Sequence, residues 1–262
     1  MAIAWFRFYE ELNDFLTPGR RKVAFRHIFD RRASVKDMIE SFGVPHTEVD
    51  LILVNGESAG FNRIVRDHDR VSVYPVFESL DVSPLLRLRE RPLRRTRFVV
   101  DCNLGRLARY LRLLGFDTRY ENDFRDEAVA RISGEEGRVL LTRDRRLLQR
   151  RIVTHGMFIR ETDPRRQVTE VLRRLDLGRD ISPFTRCSRC NGRLEVVDKS
   201  EVLERLEPKT RRYYHVFRRC TDCGQIYWKG SHHDRAQRLV AEFLETEGGD
   251  SDVGRKAHPR PR

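Results

Sequence analysis

At 262 residues, with 39% apolar and 35% charged side chains, the chain has room for two or three modest domains. It carries no apolar run of about 18 residues, which excludes a transmembrane helix by sequence. The formal charge is +12 and the pI near 9.9. The charge is unevenly placed: residues 1–80 hold 11 basic against 12 acidic side chains, residues 81–183 hold 24 against 16, and residues 184–262 hold 17 against 12. A basic middle and end suit a polyanionic partner such as nucleic acid. Compositional drift is the alternative, since only six of the 52 basic residues are lysine. The opening MAIAWFRFYEEL sets acids and an arginine inside its apolar stretch, unlike a signal peptide. Five cysteines, four of them in two close pairs, fit a reducing cytoplasm and a metal better than a disulfide scaffold.

Residues 1–77 read as a small α/β unit. Ile3–Tyr9 and Lys22–His27 alternate apolar and polar positions, as paired strands do. Ser34 opens a helix over Val35–Phe42, with Asp37 completing a near capping box and Gly43 as its stop. A strand from Asp50 ends in the turn Asn55-Gly56, a strong hairpin signal. After the polar Asp67-His68-Asp69, Arg70-VSVYPV predicts a last strand. Two strands, a helix and two strands is the order of the ubiquitin-like β-grasp fold. The unit resembles the ThiS and MoaD sulfur carriers, whose last strand ends in a similar run. Those carriers terminate in Gly-Gly, whereas here Tyr74-PVFESLDVSP continues into more protein. Sulfur transfer is therefore disfavoured, and a docking or stabilising module, with a possible protein partner, is expected instead.

Residues 78–96, with two prolines and mixed charge, predict a linker. Residues 97–180 then repeat strand and helix. Arg97-FVVD leads to a helix Leu104–Leu114 stopped by Gly115, and Phe116-DTRY to a helix Asp126–Ser133 stopped at Gly134/Gly137. Arg138-VLLTRD leads to a helix Arg145–Arg151 opened by Asp144, and Gly156-MFIRETD to a helix Pro164–Leu175 capped by Asp163. Such alternation predicts a parallel sheet covered on both faces.

In an open parallel sheet, ligands bind at the carboxyl ends of the strands. Asp101, Asp123, Asp126, Asp144 and Asp163 all fall there. Any one of them can be a helix cap, and Asp163 before Pro164 reads first as that. Several converging carboxylates repel one another unless a cation neutralises them, and hard oxygen ligands favour Mg²⁺ or Mn²⁺. No lysine occurs between Lys36 and Lys199, which excludes P-loop and lysine-dependent phosphoryl chemistry. A metal-dependent hydrolytic site in a positive domain, acting on a phosphodiester, is what remains. Arg106, Arg109, Arg143 and Arg146 flank these acids in sequence and suit phosphate contacts, although each alone also fits a solvated helix face. Thr142 either orients Asp144, contacts phosphate or packs in the strand. Cys102 is expected on the opposite face, buried and inert.

The runs FVVDCNLGRLARYLRLLGFDTRY and ENDFRDEAVARISGEEGRVLLTRDRRLL resemble the PIN-like ribonucleases of the Mut-seven C-terminal family, over about residues 97–240. Some members of that family carry a ThiS-like unit in front. The resemblance implies a PIN-like fold and ribonuclease activity. It assigns the catalytic role to Asp101, the Asp123/Asp126 cluster and Asp144, with Glu127 and Asp163 as possible additional acids. Two ions about 3.5–4 Å apart would assist an in-line attack by water.

Cys187-SRC and Cys220-TDC form two C-x₂-C pairs, a spacing that predicts a structural Cys₄ zinc site formed by Cys187, Cys190, Cys220 and Cys223. A glycine within two residues of each pair is expected to allow the turn that aims N–H groups at the thiolates. The insert from Ser200 is expected to be helical to Leu206 and then basic and aromatic. With Trp228 and His232 of the shared W-x-G-S-H pattern it suits single-stranded RNA, or else its aromatics fill the small core of a zinc ribbon at 184–246. The role of His233 stays open. Residues 247–262 predict a disordered tail. The two competing functions are a Mg²⁺- or Mn²⁺-dependent ribonuclease with a zinc ribbon that aids RNA binding, and a non-catalytic RNA-binding adaptor that docks partners through its β-grasp domain.

Overall fold

The computed structural model describes residues 1–75 and 96–248, with side chains described up to residue 245. The expected linker lies outside these residues but for Thr96, and most of the expected tail lies outside them too. The described residues form two compact units, one drawn from Met1–Asn103 and Asn122–Ile159, the other from Leu104–Glu121 and the part from Arg160 onward.

In the first unit, β1 (Ala2–Phe8) pairs antiparallel with β2 (Phe25–Phe29), as expected from alternation, although β2 begins three residues later than Lys22. The helix α1 (Val35–Ser41) follows, and Ser34 and Asp37 form the reciprocal capping box that their spacing predicts. Next come β3 (Leu51–Val54), β4 (Glu57–Ser58) and β5 (Arg70–Tyr74). The β3–β4 hairpin turns on Asn55 and Gly56, both at positive φ, the conformation a two-residue hairpin turn requires. β5 runs parallel to β1 and antiparallel to β3, giving the sheet order β2-β1-β5-β3-β4. Phe6, Phe8, Ile52 and Val73 of the sheet bury against Val35, Met38 and Ile39 of α1. This is the β-grasp arrangement. Three 3₁₀ turns, Glu10–Phe15, Pro18–Arg20 and His46–Glu48, complete it.

The chain continues through β6 (Arg97–Val100), α2 (Gly105–Leu113), β7 (Asp117–Arg119), α3 (Asp126–Glu136), β8 (Val139–Thr142), α4 (Arg145–Leu148), β9 (Gly156–Phe158) and α5 (Pro164–Arg174). β6, β8 and β9 run parallel, β8 lying between the other two. Val99 and Leu140 of these strands pack against Val129 and Ile132 of α3 and Leu147 and Leu148 of α4. Two expectations need correction. α3 does not stop at Gly134 but runs to Gly137, whose φ of +60° ends it. Gly134 is needed for proximity: an added Cβ would lie 2.6 Å from the carbonyl oxygen of Ile152. And α4 is a single turn, closed at Gln149 rather than reaching Arg151.

In the second unit, α2 packs on α5, and α5 on a terminal helix α8 (Ser231–Gly248) that comes after three strands and two short helices: β10 (Leu194–Val197), α6 (Lys199–Val202), α7 (Pro208–Tyr213), β11 (Phe217–Cys220) and β12 (Ile226–Trp228). β10, β11 and β12 form an antiparallel sheet with Val197, Phe217 and Ile226 in its core. The basic insert is thus partly helical, as α7. The helix α8 reaches Gly248, two residues into the expected tail, and buries Val240 and Phe243.

Candidate functional site

β6 ends at Val100, and the N–H of Asp101 continues its pairing by donating to Leu141 O at 3.1 Å. This puts Asp101, which is 5% exposed, beside the last residue of β8, the wholly buried Thr142. The Thr142 hydroxyl donates to Asp101 Oδ2 at 2.7 Å and accepts the N–H of Asp144 at 2.9 Å. Asp144 in turn caps α4, its Oδ1 accepting the N–H of Arg146 at 2.8 Å. Asp144 is therefore a helix cap and also one of two acids joined through Thr142 at the strand ends.

Cys102 departs from expectation. Because the strand has ended, alternation no longer governs position 102, and the chain enters the 3₁₀ turn Cys102–Leu104. The half-buried thiol bonds to the side chain of Asp101. Burial first, then Asp101 and the charge of Asp126, hold its pKa above the ordinary value. Asp126 is the exposed first residue of α3. Asp101 and Asp144 are linked through Thr142 where β6 and β8 end. Asp123 is exposed in the loop before α3.

The remaining candidates are differently engaged. Glu127 pairs with Arg150 at 3.0 Å, an arginine the sequence reading did not single out. Its pKa is lowered by its own backbone N–H and then by Arg150. Asp163 caps α5, accepting the N–H groups of Arg165 and Arg166 at 2.9 and 3.1 Å. Arg143 and Arg146 are exposed beside Asp144, and Arg143 also donates to Ile159 O at 3.3 Å. Arg106 and Arg109 are exposed on α2. Trp228 packs with Tyr214 against the ribbon core, whereas Tyr213 is 65% exposed. His232 is exposed in the first turn of α8, and His233 stacks on Phe184 at 4.6 Å.

The four cysteines converge. Their sulfurs all lie within 4.8 Å of one another, with Cys187–Cys223 at 3.7 Å and Cys190–Cys220 at 3.4 Å. Tetrahedral zinc with bonds near 2.3 Å would separate its sulfurs by about 3.8 Å, so the donor set fits such an ion. Among the described residues, this is the group whose ligand atoms gather so tightly. The glycines work differently from one another. Gly224 takes the positive φ itself, but in the first knuckle Asn191 does, at +77°. Gly192 is required by closeness, since a Cβ there would stand 2.7 Å from Cys220 Sγ. Burial raises the Cys187 thiol, but the Tyr227 hydroxyl at 3.1 Å and the N–H groups of Cys190 and Arg189 outweigh it, bringing the pKa down to about 7. Burial pushes Cys190 up to about 12.

The buried Arg112 of α2 reaches the first knuckle. Its guanidinium donates to the carbonyls of Arg189 (2.8 Å), Thr118 (2.9 Å) and Tyr120 (3.1 Å). Asn191 adds to the same junction, its Oδ1 accepting from Thr118 N–H and its Nδ2 donating to Asp117, both at 2.8 Å.

Residues 96–240 match the model of the Mut7-C RNAse domain, and residues 1–81 that of the Mut7-C ubiquitin domain. The chain belongs to the Mut7-C RNAse family. The Mut7-C RNAse match spans both the Asp101–Thr142–Asp144 bridge and the cysteine cluster, and the Mut7-C ubiquitin match spans the β-grasp sheet. Among solved structures, the chain is similar to the small archaeal modifier protein 1 of H. volcanii, with 18% identity over 29% of this chain and 100% of that one, at a TM-score of 0.24. A second structure, SAMP1 from Haloferax volcanii, gives the same identity, share of this chain and TM-score over 97% of its own length. No curated protein matches the chain. No helix among the described residues is long and apolar enough to cross a membrane.

Proposed function

We propose that this Mut7-C protein hydrolyses RNA phosphodiester bonds at Asp101, Asp126 and Asp144, with Asp123 as a further acid and Mg²⁺ or Mn²⁺ as the catalytic cofactor. The observation that carries the reading is the bridge from Asp101 through Thr142 to Asp144, inside a span that matches an RNase domain. The donors are all carboxylate oxygens, a hard set that suits these ions. Asp101 Oδ2 accepts from Thr142, and Asp144 Oδ1 accepts the N–H of Arg146. When bound, the ion supplies an acidified water and neutralises phosphoryl charge.

The chain's own residues do the rest. Thr142 fixes the Asp101 carboxylate and the backbone of Asp144 before substrate arrives, a preorganisation that lowers the reorganisation cost of the reaction. Arg143 and Arg146 offer guanidinium groups to the phosphates on either side of the scissile bond. The Cys₄ site, closed once zinc is bound, holds the ribbon and presents exposed basic residues and His232 to single-stranded RNA. An Asp144→Asn variant tests the reading: Mn²⁺-dependent cleavage of a single-stranded RNA should vanish while RNA binding persists. A parent protein that binds RNA but cuts none with either metal would instead establish the adaptor reading.

A further inference from the structure

The segment between Asp144 and Ile159 is seated on the β-grasp domain. Arg145, next to Asp144 and first in α4, donates to Phe15 O at 3.3 Å and Asp14 O at 3.4 Å. Its guanidinium carbon lies 4.8 Å from the ring centre of Phe15 and 5.6 Å from that of Phe158. The two rings meet edge to face at 5.4 Å. Phe158 is the register partner of Thr142 in the β8–β9 pair, and its N–H donates to Glu48 Oε1 at 2.6 Å. Glu48 is 1% exposed. Between these anchors, His46 Nε2 lies 2.9 Å from Val153 O while its Nδ1 lies 2.6 Å from Glu40 Oε1. Both ring nitrogens thus face oxygen atoms, one of a carboxylate and one of a backbone carbonyl.

We propose that the ubiquitin-like domain is a fixed part of the nuclease site, and that Arg145 and Glu48 are positioning residues for Asp144 and Thr142. The proposal rests on the nuclease reading above. Cation–π and charge-assisted contacts hold the exposed Arg145 side chain against Phe15 and Phe158. A single-turn helix has little intrinsic stability, so its geometry must come from what it packs on. The β-grasp face formed by residues 14–15, 40 and 46–48 is occupied within the chain, and a protein partner of this domain must use another face.

The test uses full-length protein, an Arg145→Ala variant, an Arg145→Lys variant and a Glu48→Leu variant, which removes the acceptor of the Phe158 N–H. Hydrogen exchange of the amides from Asp144 to Phe158 is measured together with kcat and KM for Mn²⁺-dependent cleavage of a single-stranded RNA. The expected result for Arg145→Ala is faster exchange in that segment, unchanged exchange in the β-grasp strands, and kcat lower by about 10- to 100-fold with KM little changed. Arg145→Lys should fall between Arg145→Ala and the parent, and Glu48→Leu should show faster exchange at Phe158 with a lower kcat, a parent-like Glu48→Leu overturning the role of Glu48. Unchanged exchange in Arg145→Ala overturns the proposal. So does a loss confined to KM, which would make Arg145 an RNA contact. If the parent itself cleaves no RNA, the nuclease reading fails, while the exchange data still decide whether the domain orders the segment.

Discussion

Thr142 and Asp101 meet through a 2.7 Å hydrogen bond between neighbouring parallel strands, and the same hydroxyl oxygen accepts the N–H of Asp144. Replacing Thr142 with valine keeps the branched shape and removes the bridge. A buried carboxylate oxygen and a backbone N–H would each lose a partner, costing about 1–3 kcal/mol of stability. Cleavage should fall by about tenfold or more, because two acids lose their fixed relation. Urea denaturation and steady-state RNA cleavage measure the two effects separately.

Tyr227→Phe removes the hydroxyl beside the Cys187 sulfur. A hydrogen bond to a metal ligand from a neighbouring side chain is worth about 10- to 100-fold in metal affinity, and competition with a chromogenic chelator should show a loss in that range. The direction with pH follows from the Cys187 thiol, lowered to about 7 with the help of that hydroxyl. Without it the thiol holds its proton more strongly, so the pH at which zinc half-loads should move upward. An unmoved loading curve would remove Tyr227 from any role in the site.

Arg112→Met leaves the carbonyls of Arg189, Thr118 and Tyr120 without their shared donor. The expected loss is about 3 kcal/mol, with faster release of zinc to a chelator, since the first knuckle is no longer tied to α2. Thermal unfolding with and without chelator checks both.

Gly134→Ala is a test of sign. In a helix interior the change ordinarily gains about 0.5–1 kcal/mol. Here the new methyl carbon would meet the Ile152 carbonyl at 2.6 Å, and the overlap should turn the gain into a loss of about 1–3 kcal/mol. A stabilised variant would mean that the Ile152 loop yields easily.

Local chemistry made much of this molecule legible beforehand. Ser34 with Asp37, Asn55-Gly56 and Asp163-Pro164 each act within four residues, so their caps and turns are written in the sequence itself. The cysteine pairs were legible because thiolate spacing restricts the chemistry so sharply. What escaped notice depends on distant neighbours. Gly134 reads as a helix stop until Ile152 is seen against it, and Cys102 reads as facing away until the strand is seen to end at Val100. Arg112 and Arg145 look like two more arginines among many, because their carbonyl and aromatic partners come from elsewhere in the chain. The helix α8 is hidden by its setting: Val240 and Phe243 are sparse apolar markers in a polar stretch at the end of the expected zinc ribbon.

The carboxylate of Glu48 has one more consequence. β9 lies at the end of its sheet, where an outward N–H would otherwise be an open template for another chain to add a strand. Glu48 occupies that position, its Oε1 accepting the N–H of Phe158. The ubiquitin-like domain is therefore also a guard against self-association, and the nuclease segment expressed without residues 1–75 should aggregate through β9, as light scattering would show.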